Sequence, residues 1–268
     1  RILLLSALVS LSPAAISQEA AVTYLANEGV MVWQGDAKIL FDPLYDNSYG
    51  TYQMVPDRVR NAIFAGEAPY DNVEAVFVSH HHGDHFSAAD MLRLLRERPE
   101  IRFYAPAQAV VAVREIASDD DRSVLDRMTG LDMAYGDAPV RITAGELTID
   151  AAYVPHAGWP TARTDVQNIA FRVTFGNGTT VLHMGDADAR TVHFDADEQF
   201  WEETTIDLAM PPFWYFLSED GIEIMESRLD VIHAIGIHVP DEYSDPSRRP
   251  ADLLSYDLFT SPGEGRRF

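Results

Sequence analysis

The sequence predicts an α/β fold in a single domain over residues 18–268. Short apolar and β-branched runs fall into two groups, with a few helical segments between them. No internal repeat, low-complexity tract or linker breaks the pattern. A chain of 268 residues with 47% hydrophobic content is long enough for a sizeable core.

The first group opens as a meander. Val22–Ala26, Val30–Gln34 and Lys38–Phe41 read as strands, separated by the turns Asn27-Glu28-Gly29 and Gly35-Asp36 and closed by Asp42-Pro43. Thr51–Pro69 carries two prolines and reads as a loop, with a short helix around Pro56–Ala65. Val73–Ser79 is β-branched and predicts a buried strand. Ser87 can cap a helix that runs to Arg98, with Met91, Leu92, Leu94 and Leu95 as its apolar face. A strand over Ile101–Ala105 and a helix over Pro106–Ile116 follow, and Asp119–Asp121 reads as a solvated turn.

The second group holds two hairpins. Val140–Thr143 and Leu147–Val154 flank Ala144-Gly145-Glu146, while Asn168–Phe175 and Thr179–His183 flank Gly176-Asn177-Gly178. Ile206–Met210 is a further strand, Ile222–Leu229 a helix, and Val231–His238 the last strand.

The N-terminus has a separate pattern. Ile2–Leu11 is apolar behind Arg1, Ser12 and Pro13 follow, and Ala15-Ile16-Ser17 offers small residues for cleavage before Gln18. That pattern predicts a secretory signal peptide over residues 1–17 and a periplasmic or secreted mature chain; an uncleaved anchor is the alternative. The apolar stretch is short for a bilayer, and no membrane span is expected in the mature chain.

Composition narrows the chemistry. A net charge of −22, from 42 acidic against 20 basic residues, repels phosphate backbones and argues against a nucleic-acid partner. The expected partner is a small-molecule substrate. With no cysteine, disulfides, thiol nucleophiles and thiolate metal sites are excluded, so any metal must be held by imidazole and carboxylate.

The segment His80-His81-His82-Gly83-Asp84-His85 concentrates such groups at the end of a predicted strand. Strand alternation points His80 and His82 the same way and His81 to the other face. Gly83 permits a sharp turn, after which Asp84 and His85 can serve a second position. Imidazole with carboxylate suits Zn, Mn or Fe. An expression tag would be terminal, and a closed structural zinc site needs fewer donors than are present here.

These residues resemble the H-x-H-x-D-H motif of the metallo-β-lactamase fold superfamily. The resemblance continues through "YVPHAG" with His156, "VLHMGDAD" with Asp186, "AIGIHVP" with His238, and "YLANEGVMVWQGDAKILFDPLY" with Asp42-Pro43. It spans nearly the whole mature chain and implies a four-layer αβ/βα sandwich with metals at the edge between two mixed sheets. By similarity, His80, His82 and His156 hold one ion; Asp84, His85 and His238 hold a second; Asp186 bridges them. Asp84 and Asp186 are the implied catalytic carboxylates. Two divalent ions, zinc first and Mn2+ or Fe2+ as alternatives, would share a water, lower its pKa and present a hydroxide to the substrate.

The remaining histidines have simpler expectations. His81 is expected to pack or hydrogen-bond behind the site, His183 to be structural, and His193 to lie near the site or in a helix start. Two places are open to Asp188: behind a ligand imidazole, or on the surface. His233, five residues before His238, falls on the opposite face of a regular strand. The run Phe213–Phe216 fits neither simple period; Trp159, Trp214 and Tyr215 are the candidate substrate contacts.

The superfamily spans many hydrolases, so the fold alone names no substrate. The layout looks most like the zinc-dependent hydrolases that include ascorbate-6-phosphate lactonase-like proteins. Ester, lactone, phosphodiester and amide cleavage all fit. β-Lactam hydrolysis and a non-catalytic metal- or ligand-binding protein are the alternatives.

Overall fold

The computed structural model describes residues 19–268. The expected leader and its alternative anchor lie outside the described residues. Among the described residues, no helix is long and apolar enough to cross a membrane.

Alternating apolar positions build two mixed sheets. The first contains β1 (Ala20–Ala26), β2 (Gly29–Gln34), β3 (Ala37–Phe41), β4 (Val73–Phe77), β5 (Arg102–Pro106) and β6 (Met128–Leu131). The second contains β7 (Val140–Ala144), β8 (Leu147–Tyr153), β9 (Ile169–Thr174), β10 (Thr180–His183), β11 (Ile206–Met210) and β12 (Val231–Ala234). The last strand, β13 (Gly265–Arg267), returns to the first sheet. The orders are β13-β1-β2-β3-β4-β5-β6 and β12-β11-β10-β9-β8-β7. Pairing is antiparallel from β13 to β3 and parallel from β3 to β6, and it is antiparallel from β7 to β10 and parallel from β10 to β12.

Strand alternation assigns each side chain to a layer. Ile39, Phe41, Ala75 and Phe77 from one sheet meet Ile149, Ile169, Phe171, Val173 and Leu208 from the other in the central core. Leu40, Val76 and Phe103 face outward onto helices α1 (Asp57–Ala65), α2 (Ala88–Glu97) and α3 (Ala107–Ile116), where Ile63, Met91, Leu94, Leu95 and Val110 complete a second core. Ala152, Leu182, Ile206 and Ala209 turn to the far side, under Trp201, Tyr215 and Ile224. These are the four layers expected from the sequence.

Three expected elements differ. The last strand stops at Ala234 because Gly236 threads between Leu258 and Phe216, where a Cβ would lie 2.4 Å from Leu258 Cδ2. Isolated bridges at Gly236 and Ile237 replace the ladder there. The expected helix Ile222–Leu229 begins at Glu219, since the Ser218 hydroxyl accepts the Gly221 N–H at 2.9 Å, and it widens to a π turn over Ile224–Arg228. Phe213–Leu217 forms a 3-10 turn, which is why neither a strand nor an α-helix period fits its aromatics. The short polar strand β13 has no apolar alternation and went unpredicted.

Candidate metal centre

The site sits where strands of both sheets end. Val78 N–H donates to the Tyr104 carbonyl, after which the chain leaves the sheet and Ser79 is caught by Asp42. Asp42 Oδ1 accepts the Ser79 N–H at 2.8 Å and Asp42 Oδ2 accepts its hydroxyl at 2.6 Å. Gly83 lets the chain turn against the neighbouring loop: its carbonyl accepts the Asn47 N–H at 3.0 Å, and a Cβ there would lie 3.2 Å from Asn47 Cβ. That approach brings Tyr49 to the rim.

Two sets of side chains converge. His82 Nδ1 lies 3.0 Å from His80 Nε2 and 3.2 Å from His156 Nε2. Asp186 Oδ2 closes this set, 3.1 Å from His156 Nε2 and 3.9 Å from His80 Nε2. In the second set, His238 Nε2 lies 3.2 Å from His85 Nε2 and 3.4 Å from Asp84 Oδ2. Asp186 Oδ1 faces this set, 2.9 Å from His238 Nε2 and 3.3 Å from His85 Nε2. One carboxylate therefore presents an oxygen to each set.

This geometry fits two cations. Ligands about 2.1 Å from a tetrahedral ion stand roughly 3.4 Å apart, the scale of the observed separations. Asp186 Oδ1 is buried and accepts no hydrogen bond of good geometry, although His238 Nε2 is close by. Lone pairs facing a common gap are the arrangement that a cation satisfies.

Other groups hold these side chains in place. His85 Nδ1 lies 2.9 Å from Asp42 Oδ2, and His156 Nδ1 lies 2.8 Å from the Ala157 carbonyl, leaving each Nε2 to face the site. Asn168 donates from Nδ2 to the Val154 and Met184 carbonyls, both at 3.1 Å, and accepts the Asp186 N–H at 3.0 Å. Gly185 makes room for this: its φ is +57°, and a Cβ would come within 2.5 Å of Asn168 Oδ1. His238 is itself held at φ 58°, with its N–H donated to the Asn27 carbonyl at 3.0 Å. Such a backbone costs about 1–3 kcal/mol and persists only where surrounding contacts demand it. The supporting roles of Asn27, Ser79 and Asn168 were not legible beforehand; only Asp42-Pro43 carried a signal.

The two sets differ electrically. Burial and then the His85 charge push the His80 imidazolium well below its usual pKa, and burial with neighbouring His156 takes His82 down to about 4. Burial pulls His85 and His238 down as well, but Asp186 and the other carboxylates outweigh it, holding His85 well above the usual value and His238 at about 9. Burial opposes ionisation of Asp186, yet His238 and His85 keep its pKa well below the carboxylate range.

Above the ligands lies a cleft of about 370 Å³, walled by Tyr49, Thr51, Tyr52 and Arg163. The expected aromatic contacts are elsewhere. Tyr215 is fully enclosed and donates its hydroxyl to the Asp188 carbonyl, so it offers a substrate no surface. Trp214 backs His238, with ring centroids 5.3 Å apart, and donates from Nε1 to the Ala187 carbonyl. Trp159 packs on His193 and Tyr135 under the Arg190 guanidinium. A larger hollow of about 610 Å³, bordered by Asp188, Arg190, Trp214 and Leu217, contains none of the converging ligands.

His81 is exposed, yet its ring lies 5.4 Å from that of His82 and its side chain hydrogen-bonds Gln108. His183 is buried and stacked on Phe41 at 4.9 Å, with Glu28 and Asp42 near its ring nitrogens. His193 Nε2 meets Asp188 Oδ1 at 2.9 Å, and Arg190 pairs with the same carboxylate. Asp188 thus supports neither a converging imidazole nor a bare surface. His233 is exposed, and the early end of β12, not strand alternation, separates it from His238.

The fold resembles solved structures at low sequence identity. Igni18, a metallo hydrolase from the hyperthermophilic archaeon Ignicoccus hospitalis, superposes with a TM-score of 0.59 at 18% identity, covering 93% of this chain and 98% of that one. An isothiocyanate hydrolase from Delia radicum gut bacteria gives 0.58 at 13% identity, covering 92% and 99%. CmlA, a diiron beta-hydroxylase from Streptomyces venezuelae, gives 0.55 at 14% identity, covering 94% of this chain but 54% of its own. No curated protein matches in sequence. The sequence pattern of the beta-lactamase superfamily domain matches residues 37–220, from β3 through the six residues that converge between His80 and Asp186, and by that match the chain belongs to the beta-lactamase superfamily.

Proposed function

We propose that the protein is a metal-dependent hydrolase of small ester, lactone, phosphodiester or amide substrates that carry an acidic group. Asp186 carries this reading, because its two oxygens face one ligand set each. His80, His82 and His156 would hold one divalent ion, and Asp84, His85 and His238 the other. The donor set contains no thiolate and suits zinc first, with manganese and iron also compatible. Such ions would acidify a shared water and polarise the substrate oxygen.

The chain's own groups do the rest. Burial raises the Asp84 pKa, but the hydrogen bond to His238 and the charges of His85 and His238 more than offset it, so this cleft-lining carboxylate stays ionised and can accept a proton. Burial, reinforced by Asp186 and Asp84, raises the Tyr52 pKa, which keeps its hydroxyl a donor. Arg163 is the permanent cation on the cleft wall, anchored by donation to the Ala157 carbonyl at 3.2 Å. It forms no ion pair among the described residues, in a chain with twice as many acids as bases, and is free to meet a substrate carboxylate or phosphate.

Secretion after cleavage before Gln18 remains part of this proposal, as does a single hydrolase domain over residues 18–268. The test is purified protein loaded with Zn2+, Mn2+ or Fe2+ and assayed on paired acidic and neutral esters, lactones, phosphodiesters, amides and a β-lactam. Turnover that favours the acidic member, with the preference lost in Arg163→Ala, is the expected result. Metal uptake without turnover on any compound would replace the hydrolase with a binding protein.

A further inference from the structure

The turn between β1 and β2 is unusual in its burial. Turns normally lie in water, yet Asn27 and Glu28 are fully enclosed. Asn27 Nδ2 donates to the Asp84 carbonyl at 2.9 Å, and the Asn27 carbonyl accepts the His238 N–H at 3.0 Å. The turn is thereby clamped beneath the second ligand set.

Its next residue, Glu28, points a carboxylate into that space. Glu28 Oε2 lies 3.6 Å from His85 Nδ1 and 3.6 Å from His183 Nε2, and neither carboxylate oxygen has a hydrogen-bond partner. One Glu28 oxygen falls within 4.8 Å of ligand atoms of Asp186 and His238. No lysine or arginine among the described residues pairs with it. His183 is a poor counter-charge, since its Nε2 is already 3.1 Å from the Glu28 carbonyl and its ring is stacked on Phe41. Burial pushes the Glu28 pKa well above the carboxylate range, with the His85 charge opposing it, so the ionised form persists only where positive charge faces it.

Charge counting names that positive charge. Asp42, Asp84, Asp186 and Glu28 are four buried carboxylates around one site. Two divalent ions supply four positive charges and balance the four carboxylates when all are ionised; one ion balances two of them and leaves the rest to be met by protons. We propose that Glu28 is a positioning residue that makes this a two-ion centre: from behind His85 its charge holds the second cation without occupying the cleft. This rests on the two-ion reading of the site given above. It adds a residue outside the H-x-H-x-D-H segment and outside the converging histidines.

The experiment compares wild type, Glu28→Gln and Glu28→Asp as full-length proteins. Each is titrated with Zn2+ against a competing chelator, and bound ions are counted by elemental analysis. Glu28→Gln keeps the shape and removes the charge; it should retain the first ion at wild-type affinity and weaken the second about 10–100-fold, the usual effect of losing an outer partner of a metal ligand. Glu28→Asp keeps the charge and shortens the side chain; it should still hold two ions. A Glu28→Gln protein with two ions at wild-type affinity overturns the assignment, as does a Glu28→Asp protein that loses the second ion equally. Wild type that takes up only one ion would instead overturn the two-ion reading itself.

Discussion

The two ligand sets face each other across Asp186 but are built on different physics. His80, His82 and His156 form a set of imidazoles, and burial keeps His80 and His82 neutral, with lone pairs ready for a cation. Asp84, His85 and His238 form a mixed set in which carboxylates stabilise imidazolium charge. His80 and His82 can meet an ion without releasing protons near neutral pH. The second must exchange protons for its ion, because a metal binds the unprotonated ring. Support differs as well: the second set has two further carboxylates behind it, Asp42 and Glu28, whereas the first leans on the Ser79 hydroxyl and the Ala157 carbonyl.

The largest effect should come from the residue that the sets share. Asp186→Ala removes an oxygen from both, so metal content and hydrolysis should fall together, the rate on the order of 100-fold or more. Elemental analysis beside a rate assay checks this; normal turnover would remove Asp186 from the centre.

Acidity should then separate the sets. Protons compete for His238 below about pH 9 and for His82 only below about pH 4. Zn2+ affinity at the second set should therefore rise steeply from pH 6 to pH 9, while the first set stays nearly level. His82→Ala and His238→Ala, each expected to retain one ion, assign the two curves; equal pH dependence in both would erase the distinction. In chelator-stripped protein the sign reverses for stability. The raised His238 pKa contributes stability that is complete below the ordinary 6.5 and is lost as the pH rises through about 9.

The smallest effect is expected at His233. It is exposed at the end of β12, so His233→Ala should change stability by no more than about 0.5 kcal/mol and leave metal content intact. A thermal melt with metal analysis checks this, and loss of an ion would mean that the segment before His238 is placed differently.

The converging residues were legible because they fall at the ends of strong patterns. His80, His82 and Asp84 follow a β-branched run, and His156, Asp186 and His238 each close an apolar stretch. Less was legible where chain geometry leaves the regular periods. Regular alternation does not explain why His238 and His233 differ, since β12 ends between them. The aromatic run Phe213–Phe216 fitted neither period and left core packing and a substrate wall both open; Tyr215 and Phe216 are buried, and Tyr49 and Tyr52, from loops with no hydrophobic period, line the cleft.

The sequence by itself determined the layered α/β architecture and the residue types available for a cation, because side-chain alternation and donor chemistry are local properties. Only the tertiary structure decided which groups stand behind them. The contacts of Asn27 with Asp84, Asp42 with Ser79, and His85 with His238 join residues 57, 37 and 153 positions apart. No local period encodes such distances; they arise when two sheets close on a shared core and bring their strand ends to one edge. For the same reason Glu28 reads as an ordinary turn residue in the chain and becomes a buried charge only once the fold has closed around it.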